Sequence, residues 1–125
     1  MSNKPQHILV VDDELSMREF LELMLSREGY KVSCAESGKK AISMINQKHF
    51  DLLLCDIRIG DISGIDVLRA AKKQNPHTVV IMISAYASAE TAVEAMNEGA
   101  YDYVPKPFDN EELKQRFPLK HRRKS

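Results

Sequence analysis

Five residues carry groups that could do chemistry together: Asp12, Asp13, Asp56, Ser84 and Lys106. Each stands at the end of an apolar run. Asp12 and Asp13 follow Ile8-Leu9-Val10-Val11, Asp56 closes Leu52-Leu53-Leu54-Cys55, Ser84 closes Val79-Val80-Ile81-Met82-Ile83, and Lys106 follows Tyr103-Val104-Pro105. If these runs are neighbouring strands, three carboxylates, a hydroxyl and an ammonium share one rim. Crowded carboxylates repel, and without a partner at least one titrates high. A hard divalent cation removes the repulsion. Mg²⁺ takes one or two carboxylates in near-octahedral geometry and completes its shell with water. Asp13 and Asp56 can each supply an oxygen, with Asp12 holding a bound water. A resting metal site has no use for Ser84 and Lys106. A hydroxyl and an ammonium suit an anionic group lying against the metal, and a phosphoryl group fits. A carboxylate can be the nucleophile, giving an aspartyl phosphate. Asp56 ends the central buried run and is the best-fixed candidate.

The elements that must position this rim follow from hydrophobic periodicity. HILVVD reads as a strand, and Met17, Phe20, Leu21, Met24 and Leu25 then recur at helical spacing until Gly29. KVSCA is the next strand. Ser37 is an N-cap candidate for a helix turning Ala41, Ile42 and Ile45 inward. DLLLCD is a fully apolar strand. A loop with Gly60 and Gly64 leads to a helix carrying Ile65, Leu68 and Ala71, closed by Asn75-Pro76. TVVIMIS is a fourth strand, Ala92, Val93 and Met96 mark a fourth helix stopped by Gly99, and YDYVPK is a short fifth strand. Asp109 and Glu112 have the spacing of a capping box for a last helix. Pro118 should end it near Phe117, leaving a short helix anchored by Leu113 and Phe117. Five alternations of strand and helix predict an α/β fold, a doubly wound five-stranded parallel sheet with helices on both faces. Strands covered on both faces have no polar side, which suits the continuous apolar runs. In such sheets ligands bind beyond the carboxyl ends of the strands, where the five polar residues fall. Gly60, Gly64, Ala85 and Ala87 keep the rest of that rim small.

The totals exclude several classes. A chain of 125 residues fits one domain. No apolar run approaches the roughly 20 residues that cross a bilayer, and no secretory signal precedes the first strand. The expectation is a cytoplasmic protein with no membrane partner. Cys34 and Cys55 lie in apolar strand-like runs without metal or redox spacing, and read as small buried hydrophobes. The 18 bases and 18 acids balance, yet every charged residue from Arg116 onward is basic. The expected organisation is one domain over 1–117 and a basic tail over 118–125. That tail is expected to be a solvated or vector-encoded end, and the domain is not expected to bind nucleic acid directly.

The stretches VVDDE, LLLCDI with Gly64 beyond it, IMISAYA and GAYDYVPKPF, in this order and spacing, resemble the response-regulator receiver (CheY-like) domain of two-component signalling. The resemblance covers about residues 6–117. ETAVEAMNEGAYDYVPKPF is most similar to receivers of NtrC-class transcriptional regulators. The resemblance implies a phosphoacceptor domain. Asp56 would take a phosphoryl group from a phosphohistidine on a sensor histidine kinase. Asp12, Asp13, Asp56 and the backbone carbonyl of Arg58 would bind Mg²⁺, and Lys106 would pair with phosphoryl oxygens. Ser84 would hydrogen-bond the phosphoryl and Tyr103 would swing inward. That would change the surface of the fourth helix, fifth strand and fifth helix, a shift between two states that controls an output such as transcription. Arg58 and Tyr86 would tune hydrolysis of the acyl phosphate, and the Lys106–Pro107 bond would be cis. Homodimerisation on phosphorylation and an output domain elsewhere are also implied. Such a domain catalyses its own phosphoryl transfer and autodephosphorylation without being a turnover enzyme. The sequence departs from the family where Met-Pro often follows the phosphoacceptor: it has Ile59-Gly60, which is expected to loosen that loop.

Three other readings compete. An aspartyl-nucleophile, metal-dependent phosphatase usually has an acid two residues after the nucleophile, where Arg58 stands. A flavodoxin-like cofactor carrier needs a hydroxyl- and glycine-rich loop after its first strand, and Asp12-Asp13-Glu14 would repel a phosphate there. An interaction module of the same fold that is never phosphorylated has no need of the complete acid, hydroxyl and lysine set.

Overall fold

The computed structural model describes residues 5–85, 88–118 and 121. The chain alternates β1 (His7–Val11), α1 (Leu15–Arg27), β2 (Lys31–Ala35), α2 (Gly38–Gln47), β3 (Leu52–Asp56), α3 (Gly64–Gln74), β4 (Val79–Ser84), α4 (Ala89–Asn97), β5 (Asp102–Pro105) and α5 (Asn110–Gln115). The strands form one sheet in the order β2-β1-β3-β4-β5, and every pairing is parallel. The chain steps from β1 out to β2, then crosses back past β1 to β3. That reversal splays the loops after β1 and β3 apart and opens a crevice between them.

The two sheet faces are filled by alternate strand residues. Leu9, Val11, Leu53, Cys55, Val80 and Met82 pack with Ala41, Ile45, Ile65, Leu68 and Ala95 from α2, α3 and α4. Ile8, Val10, Leu52, Leu54, Ile81 and Ile83 pack with Leu21, Met24, Leu25, Leu113 and Phe117 from α1 and the α5 segment. β3 is buried along its whole length. Removing one such side chain, Leu54→Ala, costs about 2–5 kcal/mol.

Capping follows the sequence closely. The Ser37, Ser63, Ser88 and Asp109 side chains each accept a backbone N–H from the first turn of their helix. Asp109 and Glu112 complete a capping box. Gly29 and Gly99 follow the ends of α1 and α4 with φ of 95° and 102°, the left-handed conformation that favours glycine at a helix end. α5 is six residues long, as Pro118 requires.

Not every apolar residue that marks these helices faces the sheet. Phe20 is 41 % exposed, because α1 turns Leu21, Met24 and Leu25 to the sheet and Phe20 lies at the stripe's edge. Val93 and Met96 are 57 % and 47 % exposed, and the buried residue of α4 is Ala95. A small residue lets this short helix lie close to the sheet and leaves its larger apolar groups outside. Cys55 is buried, Cys34 is half-buried, and both are free thiols. In the basic tail, His121 is buried and its backbone carbonyl accepts from the Tyr30 hydroxyl; residues 119, 120 and 122–125 lie outside the described residues. Among the described residues no helix is long and apolar enough to cross a membrane.

Candidate functional site

Strand register brings the polar residues together. Val11 pairs with Cys55, Asp56 with Ile83, and Ser84 with Pro105. Asp12, Asp56, Ser84 and Lys106 therefore leave four adjacent strands at nearly one level, over the crevice between β1 and β3. The Lys106 amide donates to the Ser84 carbonyl at 2.8 Å, holding the end of β5 beside β4. The Lys106–Pro107 peptide is cis.

Lys106 is the hub. Its Nζ lies 2.7 Å from Asp56 Oδ2 and 3.0 Å from Asp12 Oδ2, with Glu14 Oε1 at 3.6 Å. Asp12, Asp56 and Ser84 are all buried, Ser84 at 1 % exposure. The remaining oxygens of the two aspartates are held by backbone: Asp56 Oδ1 accepts from the Arg58 amide at 3.0 Å and Asp12 Oδ1 from the Glu14 amide at 2.9 Å. Burial pushes the Asp56 carboxyl above its ordinary value, against the hydrogen bonds from Lys106 and the Arg58 amide. Burial also disfavours the Lys106 ammonium, but hydrogen bonds to Asp56 and Asp12 outweigh it and raise its pKa. The lysine is thus a fixed cation at neutral pH.

Asp13 is exposed at the mouth, beside Gly60, where an added Cβ would meet Asp13 Oδ2 at 3.6 Å. Arg58 is exposed in the loop after β3 and bridges to Ser63. Tyr103 is half-buried further along β5, and its hydroxyl lies 3.3 Å from Thr91 Oγ1 in the first turn of α4. Tyr86 and Ala87 lie outside the described residues. Among the described residues, no three His, Cys, Asp or Glu side chains are already gathered as a metal cluster. The two deep aspartates face the ammonium instead.

Three contributors were missed in the sequence. Arg18 reaches back from α1 and donates to the Asp12 carbonyl at 2.8 Å. Thr91 holds the Tyr103 hydroxyl. Asp61 joins the loop after β3 to α2, accepting from the Gly38 and Lys39 amides. Arg18, six residues from Asp12 across the first turn of α1, had a local signal; the other two are long-range contacts without one.

The chemistry available to this rim is that of hard oxygen donors arranged about one fixed ammonium, with two buried carboxylates and a buried hydroxyl at the ends of neighbouring strands. Comparison with known proteins gives the same arrangement a family. The family model "Response regulator receiver domain" matches residues 8–118. The transcriptional regulatory protein ZraR of Klebsiella oxytoca is 43% identical over 113 residues, which are 90% of this chain and 26% of that protein. This chain thus spans about a quarter of the length of the curated relatives it matches. A response regulator of Burkholderia pseudomallei, solved with a phosphorylated aspartic acid, calcium ion and citrate, superposes with a TM-score of 0.87 at 27% identity, over 93% of this chain and 68% of that one. The beryllofluoride-activated NtrC4 receiver domain dimer superposes at 0.81 with 34% identity, over 86% of this chain and 88% of that one. With a family model covering nearly its whole length, a parallel sheet in the order 2-1-3-4-5 and an acidic rim at the switch point, this chain belongs to the response regulator receiver domains of two-component signalling.

Proposed function

We propose that Asp56 is the phosphoacceptor and that Asp12, Asp13, Asp56 and the Arg58 backbone carbonyl hold the Mg²⁺ on which transfer depends. The observation that carries this reading is the position of Lys106 Nζ, in hydrogen-bond reach of both Asp56 and Asp12. One ammonium leaves the rim with an excess of carboxylates, and burial, with a smaller push from Asp12, raises the Asp56 pKa against the hydrogen bond from Lys106. The donors are all hard oxygens, and Mg²⁺ asks for only one or two carboxylates with water completing its shell. The residues present therefore fit the ion. When bound, it supplies charge neutralisation for the carboxylates and for the equatorial oxygens of the phosphoryl group.

This chain's own residues would act as follows. An Asp56 carboxylate oxygen forms a bond to phosphorus as the P–N bond of a phosphohistidine breaks, and the electron pair leaves with the imidazole nitrogen. Lys106 would exchange its hydrogen bond to the Asp56 carboxylate for one to a phosphoryl oxygen as charge moves outward. The Ser84 hydroxyl donates to a second phosphoryl oxygen. Arg58 is exposed in the loop after β3, and it and Tyr86, which lies outside the described residues, would govern access of the water that hydrolyses the acyl phosphate.

The partner that fits is a sensor histidine kinase. Tyr103, tied to α4 through Thr91, would report the change to the α4, β5 and α5 surface. That surface exposes Val93, Met96 and Tyr101, apolar groups suited to a homodimer contact or an output partner, and cytoplasmic transcription control is the corresponding setting. The test is incubation with a small phosphodonor and Mg²⁺, read by intact mass. A single phosphoryl added to the native chain and absent from Asp56→Asn supports the reading. No adduct, or an equal adduct on the variant, overturns it.

A further inference from the structure

The loop after β3 departs from its family where Gly60 stands, and the sequence alone suggests looseness. Gly60 has φ of 88°, a conformation closed to proline, whose ring fixes φ near −65°. The order comes from Asp61. Its Oδ1 accepts from the Gly38 amide at 2.9 Å and its Oδ2 from the Lys39 amide at 3.0 Å. These belong to the first turn of α2, whose amides have no partner within their own helix. Ser37 separately serves the Lys40 amide, so α2 is capped both by its own residue and by the loop. The Lys39 and Gly38 amides hold the Asp61 carboxyl below its usual range.

Packing reinforces the contact. A Cβ on Gly38 would lie 2.4 Å from Ile62 Cγ1 and 2.9 Å from Ile59 Cδ1, so the loop's apolar side chains rest on the α2 backbone. At the other end, the Gly64 amide donates to the Ile57 carbonyl at 2.7 Å. Between these anchors lies Arg58, bridged to Ser63 and hydrogen-bonded through its amide to Asp56.

We infer that Asp61 is a positioning residue: by clamping residues 57–63 to the first turn of α2, it fixes the Arg58 backbone beside Asp56 and sets the affinity of the rim for its dication. The inference rests on the proposed site, in which the Arg58 carbonyl is a ligand. A free loop would have to be ordered each time the ion bound, and that cost would appear as weaker binding. Both Asp61 carboxylate oxygens are taken by α2 amides, so its part is to position the loop.

The test is a Mg²⁺ titration of the intact chain, following the Arg58 and Gly64 amides by NMR, with hydrogen exchange at Gly38 and Lys39 as a second readout. Asp61→Ala should weaken Mg²⁺ about tenfold, the low end for groups that orient a metal ligand, and should speed exchange at both amides. Asp61→Asn keeps one acceptor and should fall between. Ser37→Ala removes the helix's own cap without touching the loop, and should bind Mg²⁺ like wild type despite lower stability. Binding by Asp61→Ala within about twofold of wild type, or equal weakening by Ser37→Ala, overturns the inference. If Asp61→Ala does not fold, Asp61→Asn decides alone: weaker binding upholds the clamp and unchanged binding refutes it. A wild-type protein blind to Mg²⁺ refutes the site as well, which separates that failure from the failure of the clamp alone.

Discussion

Replacing Lys106 with methionine keeps the length of the side chain and removes the charge between two buried carboxylates. In the native protein that ammonium stands 2.7 Å from Asp56 and 3.0 Å from Asp12, on a side chain that is 10% exposed. Deleting one partner of a buried ion pair costs about 3–5 kcal/mol, mostly because the charge left behind has no compensation. The rim opens to water on one side, through exposed Glu14 and Asp13, so the low end, about 3 kcal/mol, applies. Unfolding entropy of about 2.1 cal/mol/K per residue over 125 residues gives about 0.26 kcal/mol/K. The melting temperature should therefore fall by about 11 °C in magnesium-free buffer at neutral pH. The sign of the Mg²⁺ effect makes the prediction specific. In the proposed site Lys106 and a dication would compete for the same oxygens, so removing the lysine should tighten Mg²⁺ binding, and ligand linkage then makes the Mg²⁺-induced rise in Tm larger for Lys106→Met than for wild type. Thermal melts by circular dichroism, with and without Mg²⁺, measure both. A drop under about 3 °C, or a Mg²⁺ increment no larger than that of wild type, refutes the electrostatic account of the rim.

Other expectations are independent of that one. Burial raises the Asp56 carboxyl above its ordinary 3.8, so its contribution to stability is full below that value and lost as pH rises through the raised one; at pH 7 the charge is a cost, and Asp56→Asn should melt no lower than wild type without Mg²⁺. A clear fall in Tm would contradict this. Gly64→Ala places a methyl 2.1 Å from the Asp56 carbonyl oxygen and 2.8 Å from Ile57 Cα; both are backbone, so the loop must move at about 3 kcal/mol or more, visible as a lower urea midpoint. Asp109→Ala removes the capping box of α5 and should cost about 1 kcal/mol, or about 4 °C, with Asp109→Asn retaining most of it. Burial pushes both thiols up, and Cys55 much further, with Asp56 and Asp12 adding to its shift; iodoacetamide should label Cys34 first and Cys55 only on unfolding, as peptide mass mapping would reveal.

Much of this was legible because the informative residues are tied to local patterns. Asp12, Asp56, Ser84 and Lys106 each end an apolar strand, and parallel strands put their ends on one rim whatever their order. The rule therefore joined Lys106 to Asp12 across 94 residues without knowing the pairing. Ser37 and Asp109 were readable as caps because a cap's partner is three residues away. The exposure of Phe20, Val93 and Met96 was not legible, because periodicity locates an apolar stripe without saying which edge meets the sheet. The Asp61 contact with α2 and the Thr91 contact with Tyr103 were invisible for a different reason: the partners lie 22 to 23 and 12 residues apart in the sequence, with no local pattern joining them. Gly60 illustrates the limit of composition. A glycine in a loop suggests freedom, yet the conformation it permits lets Asp61 reach the amides that remove that freedom.

The way α4 is attached bears on how a chemical event at the rim could be felt elsewhere. α4 buries one residue, Ala95, of the nine in the helix, whereas α3 buries Gly64, Ile65, Val67, Leu68 and Ala71. Among the described residues its side-chain ties include the Thr91–Tyr103 contact and ion pairs from Arg69 to Glu98 at 3.0 Å and Glu94 at 3.8 Å. Exposed pairs of this kind contribute about 0–1 kcal/mol each. A new hydrogen bond from Ser84 to a charged phosphoryl oxygen would be worth about 1.5–3 kcal/mol, which is a shift of roughly 10- to 150-fold between two states. That could not pry α3 from the sheet, where a single deep leucine is worth as much. It would be enough to reposition α4, which follows the strand that Ser84 ends and buries one small side chain. The proposed signal therefore needs no continuous wire through the core. It needs a helix held weakly enough that one bond at the rim outweighs what keeps it in place.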